Sequence, residues 1–367
     1  MTEKDQIYLL ALSNIKGLSN RVLISLLQEY KTPHNLYLNF PLVRIKSAKK
    51  KAIIEYQLKA DEIIKQAKET INQSNKNNIS IICSEDDKYP ILLKECEDRP
   101  PFLFVKGNYN PNSKKLIAVV GTRSSTSYGE TFCEELSHKL RNFNVGVVSG
   151  LAYGIDFHIH KKSLDSNIPN IGVLGSGINN IYPYEHQKLS ERVMENGLLI
   201  SENPPNTPPI AYNFPKRNRI IAGMTQATII IESPLKGGAI ITAKLANDYN
   251  RDVYAVPGSI LQHNSKGCNQ LIKNHLACLI DDPSELIEQL ELKDKNEKFE
   301  DSIVNTLREF KSETEKLIYE LIQKEKEISM DKLQQLTQIN FPELSEVLFS
   351  LELNDSIKQY PGKIYTL

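Results

Sequence analysis

The chain has 367 residues, of which 40% are apolar and 25% charged, a balance that allows two or three domains with buried cores. No apolar run reaches the roughly 18 residues of a membrane span, and the first residues lack the pattern of a signal peptide. Five scattered cysteines without a C-x-x-C pair predict neither disulfides nor a zinc site. We therefore expect a cytoplasmic protein that works without membrane, metal or cofactor.

The net charge is zero, from 45 basic and 45 acidic residues, which by itself argues against a nucleic-acid binder. The charges are unevenly distributed, however. Residues 111–280 carry 17 Lys and Arg against 12 Asp and Glu, and residues 1–50 carry 8 against 3. A neutral chain of this kind can still present a basic face to an anionic partner.

Residues 1–75 are predicted to form an N-terminal α-helical hairpin domain of the helix-hairpin-helix (SAM-like) kind. Apolar residues recur at helical spacing between residues 22 and 27, and Gly17 followed by Ser19 is typical of a turn that opens a helix. Such a hairpin can present backbone N–H groups to a phosphate. A small packing domain without DNA contact is an equally good interpretation.

Residues 80–290 are predicted to form a Rossmann-like domain. After a proline-rich lead-in that ends in a short strand, apolar runs alternate with helix-length segments, which indicates a doubly wound parallel sheet of the α/β class. The predicted strands are residues 116–120, 145–148, 171–174, 198–200, 227–231, 253–256 and 276–280.

The charge-dense residues 291–313 are predicted to be a linker. Residues 314–367 then show three helical patterns and a hairpin with a Pro361–Gly362 turn, which predicts a winged-helix domain. Its turn region, residues 337–342, is not basic. Binding of a protein, or of nothing, is therefore as well supported for this domain as binding in a DNA groove.

The first candidate site motif follows the strand at residues 116–120. Gly121 lets a ligand approach the backbone, and Thr122 and Ser124 can cap the following helix or donate to an anion. Arg123 can form a bidentate pair with a phosphate. A capped turn with a surface arginine is the structural alternative.

Two further strands end in small residues. Ser149 and Gly150 follow one of them, and Gly175, Ser176 and Gly177 follow the next. The latter loop does not match the dinucleotide fingerprint G-x-G-x-x-G, so NAD binding is disfavoured.

A basic helix start is the most informative stretch. Pro215 fixes the helix start, and the cations cannot all face one way at helical spacing, so we expect one or two to face a ligand and one to form a structural ion pair. Phe214 either stacks on a base or acts as a hydrophobic staple. The candidate residues of this stretch are Phe214, Lys216, Arg217, Asn218 and Arg219.

Lys236 and Gly237 open another helix in the manner of an anion cradle. Loops after parallel strands share the carboxyl edge of the sheet, where ligands bind. The strand-end motifs together therefore predict one phosphate-binding face.

Together these stretches resemble the DNA-processing protein A family, also called Smf, across residues 85–280. The motifs that carry the resemblance are residues 120–123, 149–156, 201–202, 214–223, 255–258 and 269–272. The resemblance implies an extended Rossmann fold, a homodimer, and binding of single-stranded DNA with little sequence preference. It also implies that the protein protects the strand and helps to load the RecA recombinase during natural transformation.

The family's Gly-Ser/Thr-Arg loop corresponds to Gly121, Thr122 and Arg123, and its basic helix start to Lys216, Arg217 and Arg219. An enzyme on the same fold, a phosphoribohydrolase-like nucleotide-processing protein, is the alternative. The position of its catalytic acid would fall on Lys244, so we expect no enzyme.

Overall fold

A computed structural model describes residues 2–42, 50–295, 312–325, 327–354, 357–360 and 362–366 of the chain. The chain divides into two compact units, unit 1 up to Lys295 and unit 2 from Asn296 onward. Most of the predicted linker, residues 296–311, lies outside the described residues. Its first part belongs to unit 1, because Leu292 is buried in the core of that unit.

Unit 1 is built on a nine-stranded sheet with the order β1-β2-β6-β5-β4-β3-β7-β8-β9. The seven strands that follow β2 in this spatial order are mutually parallel, whereas β2 runs antiparallel to both β6 and β1. The strands are β1 (Ser80–Cys83), β2 (Phe102–Gly107), β3 (Lys115–Gly121), β4 (Val145–Ser149), β5 (Asn170–Leu174), β6 (Gly197–Ser201), β7 (Ala227–Ile231), β8 (Asp252–Ala255) and β9 (Cys278–Leu279).

The predicted α/β Rossmann-like fold is thus confirmed, with one difference: the sheet is mixed at one edge. A parallel crossover needs a dozen or more residues between neighbouring strands. Strand β2 is followed by only a short turn before β3, so it lies outside the βαβ series and pairs antiparallel with β6. Strand β1 was not predicted, because its four residues belong to the proline-rich lead-in, for which only a short strand at its end was expected.

Helices cover both faces of the sheet. Helices α6, α7 and α12 pack on one face, and α5, α9, α10 and α11 on the other. The helices of unit 1 are α1 (Glu3–Ser13), α2 (Asn20–Tyr30), α3 (Pro33–Asn39), α4 (Lys50–Lys76), α5 (Ile91–Lys94), α6 (Ser127–Leu140), α7 (Ile155–Asp165), α8 (Gln187–Glu195), α9 (Asn213–Gly223), α10 (Gly238–Asp248), α11 (Lys266–Lys273) and α12 (Glu285–Gln289).

The N-terminal helices share a core with the sheet. One buried apolar cluster runs from Leu12 and Phe40 through Ile71 of α4 to Phe104 of β2 and Leu199 of β6. The turn between α1 and α2 contains Gly17 in the left-handed region, at φ 86°. These helices are therefore continuous with the core of unit 1.

The strand order places a topological switch point between β3 and β7. From β3 the chain adds β4, β5 and β6 on one side, and then returns to add β7, β8 and β9 on the other. Loops that leave β3 and β7 therefore diverge, which opens a crevice at the carboxyl edge of the sheet.

In its described residues, unit 2 has three helices and a small antiparallel sheet of order β10-β12-β11. Its core includes Ile318, Leu333 and Leu348, one from each helix. Its elements are α13 (Glu313–Glu325), β10 (Ile328–Ser329), α14 (Met330–Thr337), α15 (Phe341–Leu353), β11 (Lys358–Tyr360) and β12 (Ile364–Thr366).

Within the described ranges, none of the helices has the length and apolar character that a membrane span needs.

Candidate functional site

A cleft of about 550 Å³ lies at the switch point, at the carboxyl edge of the sheet. It is bounded by the loop after β3, the start of α9 and the start of α10. Its lining is made of residues 120–123 and 237–239 together with Ala152, Asp156, Tyr182, Pro209, Ala211, Phe214, Pro215, Arg217, Asn218, Ile221, Pro234, Ile241 and Thr242. A larger cleft of about 730 Å³ lies at the opposite edge, around Lys115 and Gln226, where none of the strand-end motifs lies.

The loop after β3 is held rigidly by its backbone. The Thr122 N–H donates to the Glu232 carbonyl at 2.8 Å, and the Ile155 N–H donates to the Thr122 carbonyl at 3.1 Å. A side chain at Gly121 would collide with Ile231 and Ile155. The Gly121 position therefore requires glycine for packing between sheet and helix, and the fixed loop presents the next residue to the cleft.

Arg123 is the exposed cation of the cleft. Its guanidinium carbon lies 6.0 Å from the centre of the Phe214 ring, within reach of a cation–π interaction. Phe214 in turn lies 5.4 Å from the ring of Tyr182. Within the described ranges, no carboxylate forms an ion pair with Arg123, so its charge is available to a ligand.

A buried carboxylate holds Thr126, the residue that precedes helix α6. Glu232 accepts from the Thr126 N–H at 2.8 Å and from the Thr126 hydroxyl at 2.5 Å. Ser124 is exposed, and its carbonyl accepts from the Asn264 side chain at 2.8 Å. The Ser124 hydroxyl is therefore not the cap of this helix, and Glu232 has a structural partner.

Ser149 and Gly150 are buried and engaged with the protein. The Ser149 hydroxyl donates to the Val119 carbonyl at 2.6 Å. The Gly150 N–H donates to the Asp156 carboxylate at 3.0 Å, and its carbonyl accepts from Arg217 at 2.9 Å. Neither residue has surface with which to reach a ligand, so we assign both to the support of the cleft.

Arg217 is a structural arginine, only 4% exposed. It also donates to the Val173 carbonyl, and so joins α9 to the ends of β4 and β5. Burial raises the pKa of Asp156, and attraction by Arg217 opposes that rise. Burial lowers the pKa of Arg217 to about 10, which leaves it charged at neutral pH. Arg217 lines the cleft with only this small exposed fraction of its surface, so little of it is available for the ligand contact predicted from the sequence.

Glu202 forms ion pairs with the other two cations of helix α9. It pairs with Arg219 in a buried contact and with Lys216 at 3.1 Å. Arg219 is 7% exposed, whereas Lys216 keeps 40% of its side chain in solvent. Arg219 is therefore the structural ion pair that helical spacing predicted, and Lys216 is the member of this group that remains accessible.

The loop at residues 175–177 is covered by residues 204–207. The Gly177 N–H donates to the Thr207 carbonyl at 2.9 Å, and the Ser176 hydroxyl donates to the Asn180 carbonyl at 2.6 Å. A side chain at Gly175 would meet the Phe214 ring at 2.8 Å. The predicted phosphate role of this loop therefore gives way to a packing role, with Gly175 acting as the seat for Phe214.

The start of α10 forms the other wall of the cleft. Gly237 lines it, and the Asn218 side chain makes a long hydrogen bond of 3.4 Å to the Gly238 carbonyl. Lys236 is exposed beside the cleft but is not part of its lining. Of the predicted set, the structure brings together Gly121, Thr122, Arg123, Phe214, Arg217, Asn218 and Gly237.

Tyr182 and Ile241 also line the cleft and are partly exposed there, although neither was predicted from the sequence. Tyr182 lies in a loop that returns to the carboxyl edge only through the tertiary fold. The dipeptide Tyr182–Pro183, which favours an extended or turn conformation, was the available sequence signal.

Fold and cleft together define a Rossmann-like α/β protein with a basic, aromatic-lined crevice at the switch point of its sheet. The chain belongs to the DNA recombination-mediator protein A family, whose model matches residues 80–291.

Among curated relatives, Protein Smf of Escherichia coli (strain K12) is 40% identical over 219 residues, which cover 58% of this chain and 57% of that protein. Protein Smf of Synechocystis is 34% identical over 285 residues, which cover 75% of this chain and 70% of that one. The match thus spans little more than half the length of the Escherichia coli relative.

Solved structures of two relatives illustrate the similarity in fold. DNA processing protein A from Streptococcus pneumoniae superposes with a TM-score of 0.65 at 29% identity, covering 78% of this chain and 98% of that one. The protein of the same name from Helicobacter pylori, described with a unique single-stranded DNA binding mode, gives 0.53 at 26% identity, covering 58% and 95%.

Proposed function

We propose that this protein binds single-stranded DNA with little sequence preference at the switch-point cleft. The observation that carries the proposal is the pairing of an available cation, Arg123, with the partly exposed rings of Phe214 and Tyr182. The single-stranded DNA described for the Helicobacter pylori relative supports the same ligand class.

The chemistry of the cleft fits a single strand better than a duplex. A guanidinium neutralises a phosphate, and an aromatic ring stacks on an unpaired base. The faces of the bases are covered in a duplex and exposed in a single strand. Stacking tolerates any base, because every base has an aromatic face, so little sequence preference is expected.

The buried cations support this site indirectly. Arg217 holds the ends of β4 and β5, and Glu202 holds Arg219 and Lys216, so the start of α9 keeps Phe214 in place. We assign direct phosphate contact to Arg123 and Lys216, with Lys236 as an outer cation. The backbone of the loop after β3 contributes position rather than charge.

The test is the fluorescence anisotropy of a labelled oligo-dT strand titrated with the full chain at several salt concentrations. Arg123→Ala is expected to weaken binding and to reduce the slope of log K against log salt by about 1. Arg141→Ala is the matched control, an exposed arginine just after α6, at the opposite edge of the sheet. Equal affinity and slope in the two variants would remove Arg123 from the site.

Membership of the family supports three further parts of the proposal: protection of incoming strands, loading of RecA during natural transformation, and action in the cytoplasm. We propose that the protein shortens the delay before RecA hydrolyses ATP on a single strand. With the Arg123→Ala variant the delay should return almost to its length without the protein, whereas the Arg141→Ala variant should shorten the delay as the parent chain does.

We propose a homodimer formed through the edge strand β9. Residues 267–280, which include this edge, are rich in apolar side chains, and among them Leu271 is 3% exposed in the core. Leu276 and Leu279, at 37% and 45%, present apolar surface instead. Sedimentation should show that Leu279→Glu is monomeric and folded, while Leu271→Glu loses its fold. A dimer that survives Leu279→Glu would exclude this edge.

The order of elements in unit 2 supports its assignment as a winged helix, with β11 and β12 as the wing. The positive-φ turn at Gly17 supports the assignment of α1 and α2 as a helical hairpin. Both assignments remain proposals about these parts of the chain.

A nucleotide-processing enzyme is the second candidate, because the carboxylate of Asp156 lines the cleft and burial raises its pKa. The neighbouring Arg217 and two backbone N–H groups hold that carboxylate as an acceptor. We therefore expect no free base when nucleoside monophosphates are incubated with the protein. Turnover that disappears in Asp156→Asn would establish the enzyme instead.

A further inference from the structure

We propose that the exposed face of helix α15 in unit 2 docks a basic, apolar protein segment and does not enter a DNA groove. The face, here called the acidic-aromatic face, is defined by Glu343, Glu346, Phe349 and Glu352. Its buried counterpart, with Leu344, Leu348 and Leu351, packs in the core of unit 2.

Charge excludes a nucleic-acid backbone as the natural occupant. Residues 312–367 carry six lysines and no arginine against ten Asp and Glu, a net charge of −4. Helix α15 itself (Phe341–Leu353) contains three glutamates and no cation. Helices that lie against DNA neutralise phosphates with Lys and Arg, so this one would be repelled.

Two lysines of unit 2 already have partners within that unit. Lys332 pairs with Glu325 at 2.6 Å, and Lys363 lies 5.1 Å from the centre of the Phe341 ring. The N–H of Glu343 is bound by the Asn340 side chain, which caps the helix, and that amide also donates to the Glu343 carboxylate. Within the described ranges no cation forms an ion pair with Glu346, which is exposed, or with Glu352, which is half-buried.

Exposed apolar surface accompanies this charge. Phe349 is 62% exposed, one turn from Glu346 and one turn from Glu352. Phe341 is 48% exposed at the start of the same helix. Aromatic residues are enriched in protein interfaces, where burial of the ring stabilises the complex.

The chemistry of the partner follows from these two properties. An apolar side chain would cover Phe349, and Lys or Arg residues one helical turn away on either side would meet Glu346 and Glu352. A helix with basic and apolar residues on one face presents that arrangement. The proposal concerns unit 2 alone and does not depend on the DNA-binding site of unit 1.

The test uses the full chain and a defined probe, a fluorescein-labelled 18-residue amphipathic peptide of leucine and lysine. Its leucine–glutamate counterpart is the negative probe and should not bind. Phe349→Ser, which changes no charge, should weaken binding of the basic peptide at least fivefold. Glu346→Lys should weaken it similarly and reduce its dependence on salt. Tyr360→Ser, an exposed aromatic on strand β11, is the matched control and should stay within twofold.

Thermal unfolding should show that all three variants remain folded, because each replaced side chain is exposed. Peptide binding that is unchanged in Phe349→Ser would overturn the proposal. So would binding of duplex DNA by the parent chain that Phe349→Ser reduces and Tyr360→Ser does not, since the face would then be a DNA surface.

Discussion

The guanidinium carbon of Arg123, in the loop after β3, lies 6.0 Å from the centre of the Phe214 ring, at the start of α9. Phe214 is also seated on Gly175 and neighbours Tyr182. A base that enters the cleft would therefore meet an aromatic surface beside a positive charge.

Replacing Phe214 by leucine keeps apolar packing but removes the aromatic face. Loss of one stacked base costs about 1–3 kcal/mol, so the affinity for oligo-dT should fall by roughly five- to a hundredfold. The slope against salt should stay unchanged, because no charge is lost. Anisotropy titrations measure both quantities, and an unchanged affinity would identify Phe214 as a packing residue only.

Gly154 fixes the loop that carries Arg123. It adopts φ 71° and ψ −125°, and a Cβ there would lie 2.7 Å from the Arg123 carbonyl carbon. Gly154→Ala should therefore cost about 1–3 kcal/mol of unfolding free energy and displace the loop, with weaker DNA binding. Gly238→Ala, at a position with open space, is the control for stability and should leave the unfolding free energy unchanged. Equal behaviour of the two variants would contradict the role of Gly154.

Arg217 should act on stability rather than on DNA contact. Arg217→Ala removes its bonds to the Gly150 and Val173 carbonyls and leaves the Asp156 carboxylate buried without its cation. Leaving two buried carbonyl acceptors without their donor costs about 1–3 kcal/mol each.

The double variant Arg217→Met with Asp156→Asn removes both charges, so it should be more stable than Arg217→Ala. Urea unfolding compares the variants. A fully stable Arg217→Ala protein that fails to bind DNA would instead make Arg217 a direct contact.

His160 should make the stability of unit 1 depend on pH. It is fully buried, and burial lowers its pKa to about 4, although the hydrogen bond that its ring donates to the Asn170 side-chain oxygen acts to raise it. The unfolded chain, with an ordinary value near 6.5, takes up a proton first as the pH falls. The unfolding free energy therefore decreases between pH 6.5 and pH 4, and the effect is absent above that window.

From pH 7 to pH 5 the parent protein should lose about 2 kcal/mol more than His160→Gln, whose side chain does not titrate. Urea unfolding at the two pH values gives the difference. Parallel losses in both proteins would show that other groups cause the pH dependence.

Much of the fold could be predicted from the sequence because buried parallel strands appear as continuous apolar runs, as at Ile229 and its neighbours. The strand-end glycines also located the correct edge of the sheet. Their roles could not be predicted, because whether a glycine meets a ligand or another backbone depends on distant segments. Gly177 is covered by Pro204 and Pro205, whereas Gly121 borders the cleft.

The basic helix start shows the same limit. Adjacent cations differ in burial because Arg217 and Arg219 point at carbonyls and a carboxylate that only the folded sheet brings near. Arg123 remained exposed for the opposite reason, since no such group reaches it within the described ranges.

One apolar cluster joins the N-terminal helices to strands β2 and β6, so these parts of unit 1 are expected to unfold together. Those helices and the sheet should melt in a single cooperative step. A fragment beginning near residue 80 would bare the side chains of Phe102, Phe104 and Leu199, and should aggregate. The N-terminal helices are thus an integral part of unit 1, because they cover apolar side chains of the sheet.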